Sequence, residues 1–216
     1  MQIDPKNLER ADLNKLVNGL ICPRPIAWVS TVGADSRRNL APFSFFNAFC
    51  FHPQPVVGIG PGSRQGVNKD SLRNINETGE FVVNLVTEEL ARTANLTSAE
   101  FDPEVDEWEV ADADGVPSKT VRPERVAASP VSFECKVKQI VELGTEETPS
   151  NSLVVGNVTR IHVIDETLDG YRPRPEVLNL VGRMGGPLWC TTRDRFELPR
   201  PDSKNPNEVQ PEAAPR

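Results

Sequence analysis

The densest run of residues able to hold an anion is Ser63-Arg64-Gln65-Gly66-Val67-Asn68-Lys69-Asp70-Ser71. Arg64 and Lys69 can neutralise a phosphate, and Gly66 permits backbone angles that other residues avoid. A helix starting at the end of this run would add unpaired backbone amides aimed at the same point. An exposed polar turn ahead of a helix would carry the same residues. The glycine-lysine-serine order of a nucleotide-binding P-loop is absent.

A second candidate is Asn39-Leu40-Ala41-Pro42-Phe43-Ser44. Asn39 offers amide donors and an acceptor, and Ser44 offers a compact hydroxyl. The phenylalanines nearby could wall a flat ligand, or simply build a core. A third candidate is Gly182-Arg183-Met184-Gly185-Gly186-Pro187-Leu188-Trp189. Its paired glycines allow a close or sharply turned backbone. Arg183 could meet an anionic group, and Trp189 could cover an aromatic ligand or anchor a subunit contact. His52 and His162 are the only histidines, and neither sits in a nucleophile or zinc motif. Cys22, Cys50, Cys135 and Cys190 are too widely spaced for a short metal hairpin. No metal site is expected, and no acid-base catalytic residue is assigned.

These residues need a scaffold. Leu13, Leu16, Val17 and Leu20 recur at helical spacing, with Gly19 marking the expected end and Pro23 and Pro25 blocking continuation. This helix is expected to pack on the body. Strands are expected over residues 26–32, 40–48, 56–59, 81–86, 131–137 and 152–164, from branched and aromatic runs or alternation. Pro42 places the second of them at an edge or a bulge. Gly33-Ala34-Asp35 reads as a turn, and another is expected around 148–151. A short helix over 71–78 would be capped by Asp70 and ended by Gly79, with Leu72 and Ile75 inward. Another is expected over 88–96. Residues 98–129 form an acidic excursion held by Phe101, Trp108, Val110 and Val116. Six strands with few intervening helices predict a barrel rather than a βαβ fold.

At 216 residues the chain can build one substantial core. The expected division is one domain over 1–200 and a flexible tail over 201–216, which holds four prolines. A net charge of -7 without a basic block argues against nucleic-acid binding. The start M-Q-I-D-P-K-N-L-E-R lacks an apolar signal core, and no stretch reaches membrane-spanning length. A cytoplasmic location with no membrane partner is the expectation.

Taken together, P-R-P-I-A-W-V-S-T, N-L-A-P-F-S-F-F-N, N-K-D-S-L-R-N-I, T-G-E-F-V-V-N-L, A-S-P-V-S-F-E-C, V-G-N-V-T-R-I-H-V and G-R-M-G-G-P-L-W resemble the flavin reductase-like, FMN-binding split-barrel family. The likeness covers most of residues 13–191. It implies a mainly β, six-stranded antiparallel barrel of Greek-key character with peripheral helices. It also implies a homodimer with FMN near the subunit interface, and hydride transfer from NADH or NADPH to the flavin. By this resemblance Ser44 and Asn47 approach FMN, and Ser30 and Thr31 contact it or shape its pocket. Ser63, Arg64, Lys69, Asp70 and Ser71 form the phosphate side, and Arg183 and Trp189 the late glycine-rich wall. Ser71 stands where the family commonly has threonine, and Trp189 where many members have tyrosine. A non-reductase FMN-binding electron-transfer protein and a structural dimer without cofactor are the alternatives. Nicotinamide preference and final acceptor are not encoded in any motif here.

Overall fold

The computed structural model describes residues 1–64, 67–102, 104–144 and 151–201, with residues 63, 64, 67 and 68 described by backbone alone. The expectations for Gln65, Gly66, the turn at 148–150 and the tail beyond 201 lie outside the described residues.

The strands are β1 (Ala27–Val32), β2 (Arg38–Phe43), β3 (Phe46–Cys50), β4 (Val56–Ile59), β5 (Glu80–Leu85), β6 (Val131–Glu142) and β7 (Ser152–Val163). They form a seven-stranded sheet in the order β2-β1-β5-β6-β7-β4-β3, and every pairing is antiparallel. Six strands were expected. The difference arises at residues 40–48, which make two strands rather than one. The chain leaves the ladder at Ser44 and Phe45, and Phe45 O accepts the Gly60 N–H at 2.7 Å where β3 starts to pair with β4. Pro42, which has no N–H to give, lies on the edge strand β2 as expected. The two outermost strands, β2 and β3, are thus joined by only Ser44 and Phe45. The sheet curls into a split barrel whose seam falls at that link.

Helix α1 spans Arg10–Leu20, so Gly19 lies inside it and the chain leaves the helix only at Ile21. None of its residues is buried. Leu13 and Leu16 are half covered, but Val17 and Leu20 face outward, so the helix packs on the body less than expected. Its tight contact is at Gly19, where a Cβ on Gly185 would fall 2.8 Å from the Gly19 Cα. Helix α2 spans Asp70–Thr78. Lys69 is its N-cap without a capping side chain, and Asp70 is its first residue, paired with Arg73 at 2.6 Å. Gly79 ends it in the left-handed conformation, φ +68°, as its sequence position required. Helix α3 is shorter than expected, Ala91–Leu96, because residues 88–90 form a turn closed by Ala91 N–H to Glu88 O. A further helical turn, α4, covers Glu107–Val110.

Two apolar layers meet back to back on β1. Ala27 and Val29 join Phe43, Val57, Ile59, Phe81, Val83, Val154 and Val158 inside the barrel, where α2 inserts Leu72 and Ile75. Ile26 and Trp28 face outward into a second cluster with Leu40, Val86, Ala94, Trp108, Val126 and Val181. The acidic excursion supplies the cover for that second cluster. Of its four expected anchors, Trp108 is buried and Val110 is exposed.

A buried carboxylate ties the excursion to the sheet. Glu134 on β6 is fully enclosed. It accepts from Lys119 N–H at 2.7 Å, Thr120 N–H at 2.6 Å and the Thr120 hydroxyl at 2.5 Å, and it meets His162 Nε2 at 2.5 Å. Burial raises its pKa, but the Thr120 hydroxyl, Lys119 N–H, His162 and Thr120 N–H together outweigh that and hold it at about 2. Its folded value therefore lies below the ordinary 4.5, so its stabilisation is present above pH 4.5 and lost as pH falls toward 2. Glu134→Gln removes the charge and turns an NH2 toward a donor. Urea unfolding at pH 7 is expected to show a loss on the order of 3 kcal/mol. The gap from wild type should shrink as pH is lowered through 4 to 3. An equal gap at both pH values would show that the carboxylate charge is not what holds the excursion.

Candidate functional site

The cleft follows from the two layers. Where the excursion folds back over the edge strand β2, it does not close completely. A lobe of about 670 Å³ remains between Asn39, Ala41 and Pro42 of β2, Lys69, Asp70 and Ser71 at the start of α2, and residues 97–102 with Glu107. A second lobe of about 420 Å³ continues past Pro42 to Ser44, Phe45, Gly60, Gly62 and Asn151, sharing Lys69 and Glu100. A narrow third lobe of about 90 Å³ runs from Pro42 and Ser44 to Asn95, Ser98, Arg183 and Trp189. Pro42 borders all three, so they are parts of one groove. Its size is that of a site for a cofactor-sized molecule.

The wall is fixed by interior bonds. Trp28 Nε1 donates to the Thr97 hydroxyl at 2.9 Å, which places residue 97 at the lip of the main lobe. Asn39 donates through Nδ2 to Ser71 Oγ at 3.3 Å, joining β2 to the first turn of α2. Lys69 lies 5.9 Å from the Phe43 ring centroid. At the other end Arg183 lies 5.4 Å from the Trp189 ring centroid and gives a long bond to Leu188 O at 3.4 Å. The Arg183 pKa is lowered, first by burial and then by the charge of Arg24. These two arginines are paired directly across the small ladder of Arg24–Pro25 and Val181–Arg183.

Of the residues expected at the site, the structure brings Ser44, Lys69, Asp70, Ser71, Arg183 and Trp189 around this groove. Ser30, Thr31 and Asn47 do not line it. Ser30 Oγ donates to Glu124 O at 2.5 Å, and Thr31 Oγ1 accepts from Asn74 Nδ2 at 3.1 Å, so both hydroxyls hold the wall from behind. Asn47 is exposed on β3 and its side chain accepts the Ala48 N–H. The side chains of Ser63 and Arg64 lie outside the described part. Two important residues were not anticipated. Arg24 lies between the prolines of P-R-P, and a cation in an otherwise apolar strand entry was its available signal. Glu107 had none beyond its neighbour Trp108, since it sits in an acidic run.

Glu107 is one of four acids lining the main lobe, with Asp70, Glu100 and Asp102. Its pKa is raised to about 7, chiefly by burial, with further raising from Asp70 and Asp106. Its own backbone N–H and that of Leu40, which reaches its carboxylate at 3.4 Å, only partly offset this. The lobe thus gains a negative charge as pH rises through neutrality.

An antiparallel split barrel, plugged by one helix and grooved along its edge strand, defines the class of the molecule. The chain belongs to the flavin reductase like domain family, which it matches over residues 19–182, and is a flavin-related oxidoreductase by that membership. It is 34% identical over 203 residues to an uncharacterized protein of Halalkalibacterium halodurans, covering 93% of this chain and 97% of that one. Nitrilotriacetate monooxygenase component B from Bacillus cereus superposes with a TM-score of 0.88 at 32% identity, over 92% of this chain and 98% of the other. The 2-nitrobenzoate 2-nitroreductase of Pseudomonas fluorescens gives a TM-score of 0.83 at 32% identity, over 93% and 96%.

Because the folded value of Glu107 exceeds the ordinary 4.5, its contribution to stability is full below pH 4.5 and is lost as pH rises through about 7. Relative to Glu107→Gln, wild type is expected to lose melting temperature between pH 5 and pH 8. Parallel melting curves across that range would show that Glu107 titrates normally.

Proposed function

We propose that this chain binds FMN in the groove and reduces it with NADH or NADPH, as a homodimer. The observation that carries this reading is the convergence of Ser44, Lys69, Ser71, Arg183 and Trp189, drawn from three distant stretches, on one groove along the edge strand. The residues present fit such a group. Lys69 and the opening amides of α2, which have no helical acceptor, form a pole suited to a phosphate. The Ser71 hydroxyl stands beside them. Pro42 offers an apolar surface to a ring, with Ser44 at its border. Arg183 and Trp189 form a cationic, aromatic wall at the far end.

When bound, FMN supplies the ring that accepts the hydride. The protein residues orient, neutralise and exclude water. Lys69 holds the anionic end, and its contact with Phe43 keeps it over the barrel mouth. Trp189 covers the narrow lobe and restricts entry of solvent there. The two similar solved structures, a nitrilotriacetate monooxygenase component and a 2-nitrobenzoate 2-nitroreductase, support a redox role of this kind.

The dimer is supported by apolar exposure. Leu20, Ile21, Phe49, Phe51 and Leu188 are each more than 60% exposed. The end of α1 is joined to the glycine-rich loop through Gly19 and Gly185. Apolar exposure on this scale fits a surface covered by a second copy.

The test is the visible spectrum of freshly purified protein, before and after anaerobic addition of NADH or NADPH. A flavin spectrum that bleaches supports the full reading. A flavin spectrum that persists with both donors favours the electron-transfer alternative. Protein that is colourless and fails FMN titration overturns the reading. Lys69→Met is expected to weaken FMN binding about tenfold or more, from loss of a charge-assisted contact.

A further inference from the structure

Arg24 is buried, and its guanidinium spans three segments that meet at one end of the groove. Nη1 donates to Asn18 O at 2.5 Å and to Ile21 O at 2.6 Å, at the C-terminal end of α1. Nη2 donates to Met184 O at 3.2 Å, in the glycine-rich loop. Nε donates to Ser44 Oγ at 3.3 Å, at the seam between β2 and β3. Carbonyls at a helix C-terminus suit a cation, so the charge is stabilised where it sits.

The bond to Ser44 has a directional consequence. A serine hydroxyl has one proton to give and two lone pairs to accept with. Arginine can only donate. The contact therefore uses a lone pair of Ser44 and leaves its proton unspent. Among the described residues no acceptor for that proton is recorded. Ser44 borders both the second and the third lobes of the groove. The planar guanidinium is fixed by three carbonyls, so the direction of Nε is fixed too.

We propose that Arg24 is a positioning residue that turns the Ser44 hydroxyl proton toward the groove, where it donates to an acceptor atom of the bound ring. This rests on the reading of the groove as a flavin site. The flavin ring offers carbonyl oxygens and unprotonated nitrogens as acceptors, and a single ring N–H as donor. Ser44 held in this way selects the acceptor edge. A lysine at position 24 keeps the charge but lacks the planar fork. The Ser44 hydroxyl is then free to rotate.

The test is a cycle of wild type, Ser44→Ala, Arg24→Lys and the double variant, read by FMN titration and by the absorption spectrum of the bound flavin. Ser44→Ala is expected to raise the Kd about two- to tenfold, the range of one hydrogen bond, and to shift the visible bands. Arg24→Lys is expected to reproduce that band shift. The double variant is expected to match Ser44→Ala within about twofold, because the two act as a unit. Additive losses, or an Arg24→Lys spectrum like wild type, would overturn the proposal. Wild type that binds no FMN sinks the flavin reading itself, whereas normal binding by wild type and all variants alike sinks only the role of Arg24. Far-UV circular dichroism checks folding. Should Arg24→Lys not fold, a crystal structure of wild type with FMN decides. Ser44 Oγ bonded to both Arg24 Nε and a ring acceptor sustains the proposal; Ser44 facing the ring N–H, or no ring atom, refutes it.

Discussion

Strand β1 has no solvent face, and most of the architecture follows from that. Residues 26–31 are buried without a break. Alternation sends Ala27 and Val29 into the barrel and Ile26 and Trp28 out of it. An outer face carrying a tryptophan cannot be left to water, so a second layer is obligatory. The acidic excursion is that layer, with Trp108 and Val126 as its apolar contribution. The groove is the imperfect junction between this cover and the edge strand. Two polar residues of β1 reinforce the arrangement, since Ser30 holds the excursion at Glu124 and Thr31 holds α2 through Asn74.

Two carboxyls show how donors decide the outcome of burial. Glu134 is fully enclosed and Glu107 is half-buried in the groove wall. Glu134 is met by two backbone amides, a hydroxyl and an imidazole, and stays ionised deep in acid. Glu107 has fewer donors and two acidic neighbours, and moves toward neutrality. The first is therefore a fastening, and the second is a variable charge in the wall of the groove. Arg38 adds a further tie between β2 and the excursion, bonding Asp106 at 2.6 Å and Glu124 at 3.3 Å beside the Trp108 ring.

The strands were legible because their patterns are local. β4 and β7 fall within a residue of the expected bounds, and Gly79 announced the end of α2. The region 40–48 was misjudged because a continuous phenylalanine-rich run conceals a corner. That corner depends on Phe45 pairing with Gly60, a contact no local pattern reveals. The exposed face of α1 was misjudged for the opposite reason. Helical periodicity shows that a face is apolar, not what covers it. Around the groove, the residues on loops and element ends, such as Ser44, Lys69 and Ser71, were found from their types. Ser30 and Thr31 were placed by the family resemblance, and their hydroxyls are engaged within the wall. Arg24 and Glu107 act through burial and partners from other segments, which a one-dimensional reading does not supply.

In the groove wall, Thr97 is fastened to Trp28 and Asp106 to Arg38, and among the described residues no strand of the barrel ladders falls between them. Changes of length or side chain in that span leave the strand registers untouched. The protein is thus built like a fixed vessel with an exchangeable rim. Descendants of one barrel can diverge in what they admit while inheriting the same interior, because the part that meets the visitor is not the part that holds the fold.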